Sequence, residues 1–246
     1  MNKHKITAGF IIIGNEILSG RTQDQNLNFL AKNLVEMGII LKDVRVIGDF
    51  EDEIIETVNI LKSKYDYVFT SGGIGPTHDD ITTECIAKAF NQQLILHPLA
   101  HEILIKHYGK ENVNQARLKM AYLPSNASLL DNPVSSAPGF RIDNVFVMAG
   151  VPKIFQAMFM ACKKELICGE KIISREIKIN LTESSIAQDL TKLQLHYPDI
   201  AMGSYPFEGQ TSLVFRSSNL NQLNIAINKM IDLIKIINPN ENIELS

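Results

Sequence analysis

Apolar positions along the chain change rhythm several times, and each change marks an element. Residues 6–13 are a near-continuous apolar run, the pattern of a strand buried on both faces of a parallel sheet. The run ends in Gly14-Asn15-Glu16-Ile17-Leu18 and then Ser19-Gly20-Arg21-Thr22-Gln23-Asp24, which predicts a polar loop at the carboxyl end of that strand. Leu27, Leu30, Ala31, Leu34 and Val35 follow at helical spacing, and Gly38 closes the helix. Val44, Val46 and Ile47 predict a second strand ending at Gly48-Asp49, and Ile54, Ile55, Val58 and Leu61 a second helix. Tyr67-Val68-Phe69 is a third strand. It leads into a glycine-rich stretch, residues 70–84, and then a helix with Ile81, Cys85, Ile86 and Ala89 on one face. Strands alternating with helices over short connections predict an α/β fold, a three-layer, doubly wound and mostly parallel sheet.

The later pattern is less regular. Leu94-Ile95-Leu96 is a short apolar stretch, residues 99–107 are helix-like, and 114–122 predict a helix ended by Leu123-Pro124. Leu129-Leu130, a loop over 131–140 and a strand over 145–148 come next. The turn Ala149-Gly150-Val151-Pro152 opens a helix carrying Phe155, Met158, Phe159 and Cys162 on one face. Residues 168–171 form a linker, after which the order becomes β-α-β-β-α: a strand over 176–181, a helix marked by Ile186, Leu190 and Leu193, strands over 200–204 and 211–216, and a last helix with Leu223, Ile227, Met230, Ile231 and Ile234. Tyr205-Pro206 and Glu208-Gly209 fall in the loop between those two strands. The pattern sets a larger domain at 1–168, a small α+β domain at 171–238 and a polar tail at 239–246.

Composition removes several classes of function. The chain has 246 residues with a net charge of −3, and its basic residues are not clustered, so neither a nucleic acid nor a membrane surface is an expected partner. No apolar run approaches the ~20 residues of a membrane span. The basic start, Met1-Asn2-Lys3-His4-Lys5, and the apolar run behind it resemble a signal peptide. The run leads into Gly-Asn-Glu rather than a small-residue cleavage site, so it is assigned to a first strand. Cys85, Cys162 and Cys168 are odd in number and form no Cys-x-x-Cys pair; they read as buried thiols of a cytoplasmic protein. His97 and His101 share helical i,i+4 spacing, but Pro98 lies between them and no acidic third ligand accompanies them or His107, so no metal site is assigned there.

The chemistry concentrates in residues 70–84. Gly72, Gly73 and Gly75 permit positive φ and close approach of a ligand to the backbone. Free N–H groups at the start of the following helix favour an anion such as phosphate. Asp79 and Asp80 would repel a phosphate unless a cation bridges them, which implies a magnesium-like ion between protein and ligand. The alternative is that Asp79, Asp80 and Thr82 only cap a helix.

This turn and four further stretches resemble the MoaB/Mog-type molybdopterin-binding family, most of all the N-terminal part of the competence/damage-inducible CinA proteins and the similar domain of eukaryotic FAD synthases. The matching residues are Gly14-Asn15-Glu16-Ile17-Leu18, Gly20 with Asp24 and Asn26, Gly48-Asp49, and the whole of 70–84. Met120-Ala121-Tyr122-Leu123-Pro124, Asn132-Pro133, Ala137-Pro138-Gly139-Phe140 and Gly150-Val151-Pro152 continue the likeness, and Gly203-Ser204-Tyr205-Pro206 extends it into the small domain, whose order resembles a KH-type unit. That domain has no Gly-x-x-Gly clamp. The family often has Glu where Ile154 stands, and Gly-Thr where Ser135-Ser136 stand.

The resemblance implies a phosphate ester as ligand. Some members bind or adenylylate molybdopterin, whereas CinA-like members resemble metal-dependent pyrophosphatases that cleave ADP-ribose or FAD to AMP and a second phosphate ester. On that reading Asp49, Asp79 and Asp80 hold a divalent magnesium, manganese or cobalt ion, and Asp80, Asp49 and His78 are the catalytic candidates. His78 qualifies because a histidine titrates near neutrality; it is otherwise a loop residue. Ser71, Gly72, Gly73, Gly75 and Thr77 would contact phosphate, and Gly14, Asn15 and Glu16 the base or ribose. Glu16 and Glu84 have the alternative of capping or ion pairing. A non-catalytic carrier of a pterin or nucleotide uses the same loop. The family also implies self-association, as a homodimer or alternatively a trimer.

Overall fold

The structure, a computed structural model, describes residues 5–207 and 209–246, so the first four residues of the basic start and Glu208 lie outside the described residues. The chain divides after Gly169 into two compact units.

In the first unit the elements are β1 (Thr7–Ile13), α1 (Asn15–Leu18), α2 (Asn26–Glu36), β2 (Ile40–Ile47), α3 (Glu51–Lys64), β3 (Tyr67–Ser71), α4 (Thr82–Ala89), β4 (Leu94–Leu96), α5 (Pro98–Tyr108), α6 (Gln115–Lys119), β5 (Tyr122–Pro124), β6 (Ser128–Leu130), β7 (Gly139–Ile142), β8 (Val145–Met148) and α7 (Pro152–Cys162). Six strands form one sheet in the order β2-β1-β3-β8-β7-β6. The first four run parallel, and β7 and β6 add an antiparallel edge. This is the mixed, mostly parallel α/β sheet expected from the sequence.

Alternation along β1 builds the three layers. Phe10 and Ile12 face one way and pack with Leu30 and Leu34 of α2 and Phe155 and Phe159 of α7. Ile11 and Ile13 face the other way, toward Ile54, Val58 and Leu61 of α3 and Ile86 of α4. Side chains alternate across a strand, so a run apolar at every position must have a helix layer on each side. Each such fully buried side chain contributes roughly 1.5–3 kcal/mol relative to an exposed one. Pairing of Ile13 with Ile47, Ile12 with Ser71, and Ser71 with Met148 sets the carboxyl ends of β2, β1, β3 and β8 side by side. The glycine turns that follow these strands therefore share one end of the sheet.

The second unit contains β9 (Ile173–Ile179), α8 (Glu183–His196), β10 (Ala201–Phe207), β11 (Gln210–Ser217), α9 (Leu220–Ile237) and β12 (Glu244–Leu245). Its antiparallel sheet has the order β10-β11-β9-β12, and Leu223, Ile227, Met230 and Ile234 of α9 pack on Ile177, Leu213 and Phe215. The outer edge at β10 is blunted. The Met202 N–H is taken by the Gln194 side chain at 3.0 Å, and Pro206 has no N–H to offer.

Several expectations need correction. The loop after β1 holds a single helical turn, α1, too short to carry an amphipathic signature. Thr70 and Ser71 extend β3. Tyr122 lies in β5 rather than a helix, because Leu94–Leu96 pairs there antiparallel with Tyr122–Pro124. Phe140 lies in β7, not in a loop. Tyr205 and Pro206 belong to β10, not to a loop. The tail does not stay irregular: Glu244 and Leu245 pair with Lys178 and Ile177. His97 caps α5, its Nδ1 accepting from the Ala100 N–H at 3.4 Å.

The thiols separate by burial. Cys85 and Cys162 are buried and Cys168 is exposed, contrary to the expectation that all three are buried. Burial pushes the Cys85 thiol up to about 11 and the Cys162 thiol up to about 12 from an ordinary 9.0. A disulfide-exchange reagent near neutral pH should label only Cys168 in the folded protein and all three thiols after denaturation, counted by mass spectrometry. The sign for stability follows. Above about pH 9 the unfolded thiols ionise while the folded ones stay protonated, so these two groups make stability fall as pH rises.

Among the described residues no helix is long and apolar enough to cross a membrane.

Candidate functional site

The turn between β3 and α4 is shaped by two glycines. Gly72 has φ +111°, and a Cβ there would lie 2.1 Å from the Ile13 carbonyl oxygen of the neighbouring strand. Gly73 has φ +70°, and a Cβ there would lie 2.0 Å from Thr82 Oγ1. The turn thus passes directly over the end of β1 and against the start of α4, where the Thr82 N–H donates to Gly73 O at 3.0 Å.

The backbone donors divide at Gly72. Its N–H continues the sheet ladder, donating to Met148 O at 3.0 Å, and so is not available to a ligand as the sequence suggested. The N–H groups of Gly73, Ile74 and Gly75 have no acceptor among the described residues. Consecutive free N–H groups in a turn with positive φ make an anion-binding concavity.

Asp80 sits beside this concavity. One of its carboxylate oxygens accepts from the Thr77 N–H at 2.8 Å and from the Thr77 hydroxyl. It therefore folds back on the turn, and no side chain caps α4. Gly75 is packed against it: a Cβ there would lie 2.7 Å from Asp80 Oδ2. Asp79 is exposed. Hydrogen bonding by the Thr77 hydroxyl, then by its own backbone N–H, and the charges of His78 and Lys119 hold its carboxyl below the usual range. His78 is exposed on the same turn.

Lys119 was not singled out from the sequence. It ends α6, donates from Nζ to Thr77 O at 3.0 Å, and lies 4.0 Å from Glu84 Oε1. A cleft of ≈ 310 Å³ opens here, lined by Gly75, Asp80, Glu84, Lys119, Met120 and Tyr122 among others. Glu84 is thus an ion-pair partner on the cleft wall.

The remaining candidates form a second group around the ends of β1 and β2. Asp49 Oδ2 accepts from the Asn15 N–H at 2.9 Å, satisfying the first donor of α1 from a neighbouring loop. Glu16 curls over Gly14, both its carboxylate oxygens 2.6 Å from where a Cβ of Gly14 would be. Ser71 is buried, and its Oγ accepts from Asn26 Nδ2 at 2.8 Å.

The structure therefore does not gather Asp49, Asp79 and Asp80 into one cage. Asp49 turns to Asn15 and Asp80 to Thr77, and among the described residues no three His, Cys, Asp or Glu side chains are placed to hold a metal together. The donor set still fits magnesium, which takes one or two carboxylates and completes its shell with substrate phosphates and water.

The two family differences are absorbed structurally. Ser135 Oγ accepts from Asn132 Nδ2 at 2.7 Å within the β6–β7 loop, and Ile154 packs against the α2–α7 core.

Comparisons with known proteins agree with this architecture. Residues 9–167 match the family model described as a probable molybdopterin binding domain, and residues 171–240 match the FAD synthase middle domain. A protein of Archaeoglobus fulgidus is 34% identical over 227 residues, covering 92% of this chain and 97% of its own length. A probable FAD synthase of Caenorhabditis elegans is 33% identical over 226 residues; the match covers 81% of this chain and 44% of the relative. Among solved structures, the CinA protein of Thermoplasma acidophilum, described as of unknown function, superposes with TM-score 0.62 at 36% identity, covering 65% of this chain and 96% of that one. The chain belongs to the MoaB/Mog-type molybdopterin-binding-domain family, in the branch that carries a FAD-synthase-type middle domain and includes CinA-like proteins.

Proposed function

We propose that the β3–α4 turn binds the phosphate of a nucleotide or pterin and that the protein is a metal-dependent pyrophosphatase, cleaving ADP-ribose or FAD to AMP and a second phosphate ester. The observation that carries this reading is the run of free N–H groups at Gly73, Ile74 and Gly75 beside Asp80, on the wall of the Lys119 cleft. The relatives named FAD synthase and the family described as molybdopterin-binding support a phosphate-bearing ligand of this kind.

In this account the free N–H groups hold the phosphoryl oxygens on which charge develops, and Lys119, in the lining of the same cleft, supplies a positive charge. Asp80, with Asp79 beside it, would hold a magnesium, manganese or cobalt ion. Asp49 is close to the same end of the sheet. Such an ion, when bound, offsets diphosphate charge and acidifies a water. Water oxygen bonds to one phosphorus, the P–O bond to the bridging oxygen breaks, and that oxygen leaves with its electron pair. The water proton passes to a base, for which His78 is the candidate on this turn.

Lys119→Ala should weaken ADP-ribose roughly 10-fold, seen as a raised KM, because a charged hydrogen bond to phosphate is worth about 1.5–3 kcal/mol. Chromatographic detection of AMP from ADP-ribose and from FAD, with magnesium, manganese or cobalt added in turn, tests the proposal. Metal-dependent AMP is the expected result.

A second reading is supported by the different partners of Asp49 and Asp80, Asn15 and Thr77: a carrier that binds molybdopterin or a nucleotide without hydrolysis, or an adenylyl transferase. Saturable binding with no AMP release would favour it. We further propose a homodimer, with a trimer as the alternative, to be resolved by sedimentation equilibrium.

A further inference from the structure

Asn26 joins three distant stretches of the chain. It opens α2 and is 2% exposed. Its Nδ2 donates to Ser71 Oγ at 2.8 Å, at the end of β3, and to Gly150 O at 2.8 Å, in the turn between β8 and α7. A backbone carbonyl only accepts, so Gly150 fixes which end of the amide carries the nitrogen. Both amide protons are then in use.

The proton count at Ser71 follows from this. Its oxygen accepts from Asn26, so what the hydroxyl has left to offer is its own proton. No acceptor among the described residues takes that proton. Asn26 Oδ1 is likewise buried without a partner. Buried polar groups in native proteins are normally satisfied, and an exception points to a missing water, ion or ligand atom. This pair, with one unused donor and one unused acceptor, immediately precedes Gly72 and the free N–H groups of Gly73–Gly75.

We propose that Asn26 is a positioning residue. It holds the Ser71 hydroxyl as a hydrogen-bond donor to the ligand's phosphate, and it clamps the Gly150 turn to the end of β3. This rests on the phosphate-binding reading above. Ser71 thereby joins the cradle in place of the Gly72 N–H, which the sheet has taken. A carboxylate at position 26 would reverse the arrangement: it would accept the Ser71 proton and withdraw it from the ligand. Protonating that carboxylate would restore a donor toward Ser71 and free the serine proton again.

The test is calorimetric binding of AMP and of inorganic pyrophosphate, with magnesium present, to wild type, Ser71→Ala, Asn26→Asp and the double variant. Ser71→Ala removes one small group and leaves the Gly150 clamp in place, so it keeps the test open even where Asn26→Asp folds poorly. Loss of a hydrogen bond to a charged ligand should weaken both probes roughly 10- to 100-fold in Ser71→Ala. Asn26→Asp should lose a similar factor at about pH 7.5 and recover relative to wild type at about pH 5.5, since burial raises a carboxyl's pKa. The double variant should lose clearly less than the product of the two single losses. Wild-type affinity in Ser71→Ala, or losses in the double variant equal to the product of the two single losses, would overturn the proposal. Wild type that binds neither probe would overturn the phosphate reading itself and this inference with it.

Discussion

Asp80→Asn should abolish metal-dependent AMP release, lowering kcat/KM by at least about 100-fold, while the protein stays folded. The size follows from the position. Asp80 borders the free N–H groups and the cleft, and it is the carboxylate best placed to share an ion with a bound diphosphate. Removing one preorganised electrostatic group from a catalytic site typically costs 10²- to 10³-fold, roughly 3–4 kcal/mol. The fold should survive because the amide oxygen of asparagine can still accept from the Thr77 N–H as the carboxylate does at 2.8 Å. Steady-state AMP release and a thermal melt on the same preparation check both halves. Activity close to wild type would remove Asp80 from the centre of the account.

Gly72→Ala should have the largest effect on stability of any single change at this turn. Two costs add. The φ of +111° is strained for any residue with a side chain, and the new Cβ would lie 2.1 Å from a backbone oxygen of β1 that is held in the sheet. Strain and overlap each cost about 1–3 kcal/mol, so a loss of about 3 kcal/mol or more is expected for the first unit. For a unit of this size that lowers its melting midpoint by roughly 6–12 °C. Gly20→Ala is the internal comparison, since Gly20 has φ +71° with nothing within 4 Å of the added Cβ. It should lose only the strain contribution, about 1 kcal/mol. Equal midpoints for the two variants would show that the turn can move away from β1.

What could be read from the sequence depended on how local its cause was. The run over residues 6–13 announces a central strand because both faces are apolar at successive positions. The stripe of Phe155, Met158, Phe159 and Cys162 announces α7 for the same reason, read with a helical period. The glycine turn was visible because its residue types are restricted by its geometry. What failed was set by partners far away in the chain. The Gly72 N–H looked free until β8 was paired beside β3, through Ser71 and Met148. The hold of Asn26 on Ser71 gave no local signal, because the two lie 45 residues apart. Lys119 gave no signal at all, since a lysine at the end of a short helix is ordinary until that helix is docked against Thr77. Glu244 and Leu245 form too short a strand to show a period, and Leu245 is 55% exposed even when paired.

The same logic places the carboxylates. Their residue types and loops were legible, but which way each side chain turns is decided by the nearest free N–H. Asp49 is drawn to Asn15 and Asp80 to Thr77.

In the function proposed above, the β3–α4 turn holds a phosphate on the N–H groups of Gly73, Ile74 and Gly75. Backbone amide NMR of isotope-labelled protein, titrated with ADP-ribose in the presence of magnesium, tests it most directly. Saturable shifts are expected, concentrated at Gly73, Ile74 and Gly75 and extending to Asp80 and Lys119, with the amide of Gly72 held in its bond to Met148 and slow to exchange. Shifts confined to the second unit, or the absence of saturable shifts at this turn, would contradict it.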